Sequence, residues 1–373
     1  MDALTTPSNW QRVRLGDVGK PCMCKRVMKH QTTRYGEIPF YKIGTFGNTA
    51  DAFISKKLFL EYKTKYSFPK KGDILISASG TIGRAVIYDG KPAYFQDSNI
   101  VWIDNDETLV KNDFLFYAYS NVKWNTEHTT ILRLYNDNFR NTLIPLPPLN
   151  EQIAIANILS DVDRYLYSLD ALILKKESVK KALSFELLSQ RKRLKGFNQA
   201  WQRVRLGDIA NYLTSNLSAE QITQQGKIKV YDVNNFIGYT NTTFISDKPY
   251  ISIVKDGSVG RVRILPPKTN ILSTMGALIA NHKTTTEFLF YLLSNFDFKN
   301  FTSGSIIPHI YFKDYKEKTI FLPPLNEQIA IANILSALDS EIISLKNKKR
   351  QFENIKKALN HDLMSAKIRV LKK

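Results

Sequence analysis

The sequence predicts two copies of a mixed α/β (α+β) globular domain, separated by two long helices that form an antiparallel coiled coil. Residues 146–160 recur unchanged as residues 322–336, and residues 10–17 recur as residues 201–208. Internal repeats of this kind indicate that each copy corresponds to one structural unit. We therefore expect a pseudo-twofold internal repeat in which both units have the same order of elements.

The two repeated stretches bracket variable segments of unequal length. The copies are offset by 201 − 10 = 191 residues at the first stretch and by 322 − 146 = 176 at the second, so the second variable segment is 15 residues shorter. We predict a first globular domain at 1–149, a central helical spacer at 150–195, a second globular domain at 196–325 and a distal helical spacer at 326–373.

Inside both variable segments the same elements follow each other. Residues 72–77 and 250–254 are typical of buried strands, and each is followed by a Gly-x-x-Gly-Arg turn, at 80–84 and 257–261. Residues 114–121 and 288–295 predict short helices with an aromatic face. Most other residues differ between the segments. Recognition modules for two different targets would show this, and drift after a duplication would also produce it.

Each repeated Pro-Pro pair ends the preceding structure, because proline lacks a backbone donor and disfavours helix before it. Asn150 and Asn326 are predicted helix caps. Apolar residues then recur at alternating spacings of four and three, which is a coiled-coil seam, in helices that we expect to run to about Lys195 and to the C-terminus. Four lysines interrupt the seams and either fix the register or extend from the seam edge: Lys176, Lys180, Lys349 and Lys356.

The formal net charge is +19. The helical segments 151–195 and 326–373 carry 9 − 6 = +3 and 10 − 5 = +5, so the variable segments hold +11. A basic surface favours a polyanionic partner, most simply nucleic acid, although an ordinary soluble protein with excess lysine has the same charge.

No apolar run reaches 18 residues and the N-terminus does not resemble a secretion signal, so we expect a cytoplasmic protein without a membrane span. Cys22 and Cys24 have no ligand cluster beside them, so no metal site is expected.

In these motifs, their order and their spacing, the chain resembles the specificity subunit of a type I restriction-modification enzyme. The resemblance is carried by residues 201–208, by the two Gly-x-x-Gly-Arg turns and by Leu-Pro-Pro-Leu-Asn-Glu-Gln at the head of each helix. It covers essentially the whole chain. One departure is that the distal helical segment ends at Lys373 without a further tail, which puts details of subunit docking in doubt.

The resemblance implies two target recognition domains that each read half of a bipartite site in double-stranded DNA, with the helices as spacer. It also implies two methylation subunits that bind S-adenosylmethionine and modify adenine, and restriction subunits that translocate and cut with ATP and Mg. The family's specificity subunit has no catalytic site, so no cofactor is expected in this chain.

Candidate DNA-binding residues come from three places in the variable segments. The glycine-rich turns could present backbone N–H groups to phosphate, or could simply be tight turns that need glycine; contact of the arginine with DNA is compatible with the tight turn. Two lysines precede the first turn, at what is equally a solvated strand end. Two aligned residues precede an Ile/Leu-Tyr pair and either contact DNA or pack. The candidates are Thr81, Arg84, Ser258 and Arg261, then Lys70 and Lys71, then Arg133 and His309.

The repeated helix heads are candidate docking sites for partner subunits. A cap needs only one or two of these residues, whereas docking of two identical partners would preserve the whole stretch in both copies. Recent duplication or recombination explains the identity as well. The residues are Leu146, Pro147, Pro148, Asn150, Glu151 and Gln152, and their copies Leu322, Pro323, Pro324, Asn326, Glu327 and Gln328.

Catalytic motifs are not recognisable in the sequence. Pro-Pro is flanked by leucine rather than by the Asn/Asp and aromatic residues of an adenine methyltransferase, and no Gly-Lys-Ser/Thr phosphate loop occurs. Residues 61–63 have the spacing of a nuclease motif, with Asp51 upstream, but such triplets are common by chance.

Two alternatives stay open: a coiled-coil nucleic-acid-binding scaffold without sequence specificity, and a self-contained DNA-modifying enzyme. Sequence preference in DNA binding and activity of the purified chain distinguish them.

Overall fold

The computed structural model describes residues 9–128 and 132–370, and its internal contacts divide the chain into two units. Unit 1 comprises Met1–Leu169 and Lys348–Lys373, and unit 2 comprises Asp170–Asn347. Each unit therefore joins one globular domain to the first half of the helix that follows it and to the second half of the other long helix.

The domain of unit 1 is built from short strands in two larger sheets and two two-stranded sheets. A four-stranded antiparallel sheet has the order β2-β8-β5-β6, and a three-stranded sheet has the order β4-β3-β7 with β3 and β7 parallel; β1 pairs with β11, and β9 with β10. The strands are β1 (Gln11–Arg14), β2 (Gly19–Met23), β3 (Ile38–Tyr41), β4 (Phe53–Ile54), β5 (Ile74–Ser77), β6 (Ala85–Ile87), β7 (Tyr94–Phe95), β8 (Ile100–Asn105), β9 (Glu127–His128), β10 (Leu132–Arg133) and β11 (Leu143–Leu146). The helices are α1 (Leu15–Val18), α2 (Lys56–Lys65), α3 (Asn112–Tyr119), α4 (Asn136–Asn141) and the long α5 (Leu149–Leu188).

Unit 2 repeats this topology strand for strand. Its four-stranded sheet has the order β13-β19-β16-β17, its three-stranded sheet the order β15-β14-β18 with β14 and β18 parallel, and its two-stranded sheets are β12-β22 and β20-β21. The strands are β12 (Gln202–Arg205), β13 (Ala210–Thr214), β14 (Ile228–Tyr231), β15 (Phe236–Thr240), β16 (Tyr250–Val254), β17 (Val262–Leu265), β18 (Thr269–Ile271), β19 (Met275–Ala280), β20 (Thr302–Ser303), β21 (His309–Ile310) and β22 (Thr319–Leu322). The helices are α6 (Thr286–Ser294), α7 (Phe312–Tyr315) and the long α8 (Leu325–Met364). The predicted fold class, two α/β domains as an internal repeat, is confirmed.

The length difference between the domains lies mainly at α2. From Ile54 to Ile74 the chain advances 74 − 54 = 20 residues, whereas it advances 251 − 240 = 11 between the equivalent positions Thr240 and Ile251. The connection from β15 to β16, all of whose residues are described, contains no helix. Nine of the 15 missing residues thus fall in this connection, where unit 1 has the ten-residue helix α2.

The four-stranded sheet of each unit is buried on both faces, because side chains alternate across a strand. In β5, Ile74 and Ile76 pack toward α3 and the long helices, whereas Leu75 packs toward the three-stranded sheet. In β16, Ile251 and Tyr250 divide in the same way. Burial on both faces explains why these strands are continuous apolar runs rather than alternating ones.

Both long helices begin and end at equivalent residues, and the predicted boundaries need correction. The helices start at Leu149 and Leu325, so Asn150 and Asn326 lie inside the first turn instead of capping it; each accepts the next residue's N–H through Oδ1, at 3.0 and 2.9 Å. They end at Leu188 and Met364, seven residues before Lys195 in the first case. Gln190 and Ala366 follow with φ of +62° and +56°, and this left-handed backbone stops the helix.

Within each unit the two helical stretches are antiparallel. In unit 2, Lys176 and Lys180 pair with Glu341 and Asp339, at 2.8 and 2.5 Å. In unit 1, Lys356 pairs with Asp163 at 2.5 Å. The residue numbers of the paired residues rise along one helix and fall along the other. This confirms the predicted antiparallel pairing. Three of the four seam lysines therefore pair across the helices, and Lys349 pairs with Glu353 of its own helix.

A tyrosine of each domain joins these ion pairs. The hydroxyl of Tyr117 on α3 donates to Asp163 at 2.8 Å, and that of Tyr291 on α6 donates to Asp339 at 2.9 Å. Burial, and then the neighbouring carboxylate, raises the pKa of both tyrosines, so they stay protonated donors. Each aspartate thus holds a domain helix and a lysine of the opposite long helix at one point.

A buried glutamate at each helix head connects the two repeated stretches of the sequence. Glu327, with 0% of its surface exposed, accepts hydrogen bonds from Trp201 Nε1 at 2.9 Å and Arg193 Nη2 at 2.6 Å. Glu151, 2% exposed, accepts from Trp10 Nε1 at 3.0 Å and Arg369 Nε at 2.8 Å. A buried carboxylate is tolerated only when it is paired and hydrogen-bonded. Each junction therefore joins the tryptophan at the start of a domain to the glutamate at the head of the long helix that follows that domain. The two repeated stretches of the sequence meet there.

The next residue, a buried glutamine, fixes the helix head to its domain. Gln328 Nε2 donates to the carbonyl oxygens of Pro323 at 2.8 Å and Lys283 at 3.0 Å, and its Oε1 accepts from the backbone N–H of Thr285 at 3.1 Å. Gln152 makes the equivalent bonds in unit 1. All the polar groups of this side chain form hydrogen bonds inside the protein. An ordinary helix-capping residue would not make the same set of bonds.

The glycine-rich turns have the backbone that only glycine adopts easily. Gly80 and Gly83 have φ of +65° and +82°, and Gly257 and Gly260 have φ of +82° and +81°. A Cβ on Gly83 would lie 2.1 Å from Trp124 Nε1, whereas a Cβ on Gly80 would meet nothing within 4 Å. The tight-turn interpretation is confirmed, and the second glycine of the turn also allows close packing of an aromatic ring.

We predict that Arg193→Ala destabilises unit 2 by about 3 kcal/mol, because Glu327 stays buried with only Trp201 as a side-chain donor. Urea unfolding of the full chain, followed by tryptophan fluorescence, measures the change. Arg205→Ala is the matched control: Arg205 is exposed and pairs with the partly exposed Asp208 and Glu317, so its loss leaves stability almost unchanged. Equal effects of both variants would contradict the role of the buried junction.

We predict that Gly83→Ala destabilises unit 1 much more than Gly80→Ala. Both acquire left-handed strain of about 1 kcal/mol, but only Gly83→Ala adds a collision with the Trp124 indole, for about 1–3 kcal/mol more. Thermal unfolding of the two variants gives the comparison. Equal destabilisation would show that backbone strain, and not packing against the ring, determines which residues are tolerated at position 83.

Candidate nucleic-acid interface

The glycine-rich turns lie at the end of β5 and β16, one of the two central strands of each four-stranded sheet. In unit 1, Ser77 Oγ accepts the backbone N–H of Arg84 at 2.9 Å and donates to the carbonyl of Thr81. Thr81 is exposed, as is its counterpart Ser258. The serine at the end of the strand thus fixes the turn, and the turn presents a hydroxyl residue to solvent in both domains.

The arginines that close these turns are exposed but already have partners. Arg84 Nη1 donates to the carbonyl oxygen of Phe46 at 3.0 Å, and Arg261 Nη2 donates to Oδ1 of Asn234 at 2.8 Å. Arg263 donates to the carbonyl of the same Asn234 at 2.9 Å. Each turn is thereby tied to the loop that follows the middle strand of the three-stranded sheet.

The structure brings Arg133 and His309 beside these turns, although they are about 50 residues away in the sequence. Arg133 forms an antiparallel bridge with Ser79, and His309 forms the equivalent bridge with Asp256. Arg133 and Thr81 in unit 1, like His309 and Ser258 in unit 2, are therefore neighbours on one surface. In the sequence, residues 131–135 align with residues 307–311. Ile131, the first of them, lies outside the described residues.

Lys70 and Lys71 are not part of this group. They precede β5, so they lie at its opposite end from the turn. Lys70 is exposed and pairs with Asp104 at 2.9 Å, and this hydrogen bond to the carboxylate raises the pKa of the lysine. The structure thus divides the candidates of unit 1 between two separate ends of one sheet.

A basic cavity of about 520 Å³ opens beside Arg133 in unit 1. Its polar lining is mostly cationic and amide side chains, namely Arg26, Lys29, Lys42, Gln96, Asn99 and Arg133. Arg26 pairs with Asp97 and Lys42 with Asp51, each at 2.8 Å, so the cations are held in place rather than extended. These lining residues, apart from Arg133, escaped the sequence analysis, since they come from separate loops with no common motif.

Unit 2 has different residues in this region. Asp232 follows β14 where Lys42 follows β3, and its carboxylate accepts the backbone N–H groups of Asn234 at 2.8 Å and Asn235 at 2.6 Å. Arg263 lies over the ring of Tyr231, 5.2 Å from its centroid. The shared framework thus presents different polar groups in the two domains.

The candidate partner-binding residues separate into a buried and an exposed set. Pro147, Glu151 and Gln152 are buried, as are Leu322, Pro323, Glu327 and Gln328, whereas Leu146 and Pro324 are half-buried. The outer surface of each helix head consists of exposed residues at equivalent positions in the two copies. These residues are Leu149, Asn150 and Ile153 in α5, and Leu325, Asn326 and Ile329 in α8; Pro148, just before α5, is exposed as well.

One described helix, α8, is long and apolar enough to cross a membrane by length and composition alone. By that criterion it is an exception to the prediction of no membrane span. The core helix of a soluble protein passes the same test, and Ile331, Ala332 and Leu335 of α8 are buried in the core of unit 2. Together with buried Glu327, this packing accounts for its apolar face.

Comparison with known proteins gives a consistent family assignment. Residues 7–176 and 198–354 match the family model described as the type I restriction modification DNA specificity domain. A Haemophilus influenzae protein described as a type I restriction enzyme specificity subunit is 64% identical over 148 residues, a match that spans 39% of this chain and 38% of that protein. The MjaX specificity subunit of Methanocaldococcus jannaschii is 30% identical over 335 residues, 80% of this chain and 79% of that one.

The fold is also similar to a solved structure. The S subunit of a type I restriction-modification system from M. genitalium superposes with a TM-score of 0.64 at 20% identity, covering 98% of both chains. At that identity the likeness shows the fold alone. The two matches to the family model cover most of the sequence, one for each globular domain with part of the helix that follows it, and this chain belongs to the family of type I restriction-modification DNA specificity subunits.

Proposed function

We propose that this chain is the DNA-recognition subunit of a type I restriction-modification complex. Each domain reads one half of a bipartite site in double-stranded DNA, and partner subunits methylate adenine or cut according to that reading. The observation that carries the proposal is one framework, repeated strand for strand, that presents different polar residues beside the same turn. Protein contacts with base edges give sequence specificity, and contacts with phosphates give affinity. Two such surfaces with different polar residues therefore read two different half-sites.

The proposed partners are two methylation subunits, joined by restriction subunits. Exact duplication of the helix heads supports two identical partners, because the junction itself uses only the buried residues of each stretch. The exposed Leu149 and Ile153, and their copies Leu325 and Ile329, have no such internal role, yet they are repeated without change. These outer surfaces are the proposed docking sites.

We also propose that the chain is not itself an enzyme. S-adenosylmethionine, ATP and Mg belong to the partner subunits, and the complex works in the cytoplasm, where its DNA is. Purified alone, the chain should neither methylate nor cleave DNA when supplied with these cofactors. Cleavage or methylation by the isolated chain would support the alternative of a self-contained DNA-modifying enzyme instead.

We predict that Ile153→Asp together with Ile329→Asp lowers affinity for the methylation subunit by at least tenfold without unfolding the chain. Both side chains are about half exposed, at 46% and 49%, so a charge there meets water in the free protein and an apolar surface in the complex. Titration by calorimetry measures the affinity. Ile343→Asp, exposed at 58% and remote from the helix heads, is the control and should bind normally.

We predict that replacing residues 18–140 by the equivalent segment of another specificity subunit changes one half-site only. The replaced segment lies entirely between β1 and β11, so Trp10 and the junction at Glu151 are retained. Adenine methylation mapped across the genome of a host that expresses the complex gives both half-sites. A change in both would refute the model of two independent readers, and binding with no sequence preference would favour a scaffold.

A further inference from the structure

We propose that Arg133 and His309 occupy the same base-reading position in the two domains, and that Asp256 is the residue that positions His309. Arg133 contacts a guanine of its half-site, whereas His309 makes a different contact in the other. This inference rests on the proposed function, since it assigns the residues through which each domain distinguishes bases.

The two positions are equivalent by their place in the backbone. Arg133 bridges Ser79, one residue before the glycine-rich turn, and His309 bridges Asp256 at the same point of the other domain. The next residue donates back to the sheet in both cases: Leu134 N–H to the Ala78 carbonyl and Ile310 N–H to the Lys255 carbonyl, each at 2.9 Å. The backbone around each side chain is therefore held from both sides.

This fixed placement suits base reading better than phosphate binding. Arg84 and Lys70 are exposed side chains at the surface, the usual position of a phosphate contact, whereas Arg133 and His309 are half-buried. Discrimination between bases needs donors within a narrow range of positions, which a residue in a paired strand provides. The two half-buried positions are consequently the better candidates for base edges.

The chemistry differs between the two positions although the framework does not. Arg133 offers a planar fork of donors, which matches O6 and N7 of guanine in the major groove. Beside it, Ser79 Oγ donates to Oδ1 of Asn99 at 2.7 Å, so the amide nitrogen of Asn99 is a further donor at the edge of the basic cavity. A donor-rich site of this kind fits the acceptor-rich edge of guanine.

At the equivalent place in unit 2, Asp256 replaces the serine and determines how the histidine is used. Nδ1 of His309 donates to Oδ1 of Asp256 at 2.6 Å, because a carboxylate can only accept. Nε2 is then the one polar atom of the ring that is left for another partner. A single atom cannot reproduce the two parallel bonds of an arginine, so the two domains must make different contacts here.

The test exchanges the two pairs between domains in the full chain, expressed with its methylation partner. One variant carries Ser79→Asp with Arg133→His, and the reciprocal variant carries Asp256→Ser with His309→Arg. Methylation mapping across the host genome should show one altered base in the half-site of the exchanged domain and no change in the other half-site. Loss of the guanine contact should lower binding to the original site by about ten- to hundredfold.

Single substitutions separate positioning from contact. Asp256→Asn keeps His309 but removes the carboxylate that orients it, so it should relax base preference in the second half-site while total DNA binding changes little. Arg133→Lys keeps the charge without the fork, so it should reduce guanine preference even if the paired exchange fails to fold. Lys70→Ala is the control at the opposite end of the sheet and should leave both half-sites unchanged.

The outcomes that overturn the proposal are specific. Unchanged half-sites in a folded Arg133→Lys and in the pair exchange would show that this position reads no base. Equal weakening at every site, without altered preference, would make it a phosphate contact. These failures differ from failure of the proposed function, in which even the unsubstituted complex would show no bipartite methylated site.

Discussion

The rest of the structure depends on a carboxylate that is buried at the head of each long helix. Glu327 is fully enclosed and is balanced by Arg193 and by the indole N–H of Trp201. A charge in that position is stable only if its donors are all in place, and they come from the start of the domain and from the segment after the other long helix. The junction therefore fixes a domain on its helices through one set of hydrogen bonds.

Because this junction uses buried residues, the remaining surfaces are free to change. The four-stranded sheet is covered on both faces, and the glycine-rich turn is fixed by left-handed glycines and an aromatic ring in each domain, with Ser77 added in unit 1. The polar side chains around the turn differ between the domains, so the shared framework does not depend on their identity. Such a division lets the cations of one domain be replaced by aspartate, asparagine and histidine in the other while the backbone stays the same.

The seam lysines show how a cost in helix packing is offset. Lysine in an apolar seam weakens a coiled coil, but Lys180 and Lys356 each meet an aspartate that also accepts a tyrosine hydroxyl from the domain. The polar interruption thus links helix to helix and helix to domain at one point. Removal of one member leaves the others half-satisfied, so these triads act as units and not as independent ion pairs.

The sequence by itself determined the duplication, the order of elements, the paired helices and the family resemblance, because these follow from exact repeats and from apolar periodicity along the chain. It also indicated that Arg133 and His309 are equivalent. Only the tertiary structure showed that each lies beside a glycine-rich turn, that Asp256 holds His309, and that Arg193 and Arg369 complete the junctions. Such contacts join residues that are far apart in the chain, and no local spacing encodes them. For the same reason, helix ends set by the left-handed Gln190 and Ala366 differed from the positions that periodicity predicted.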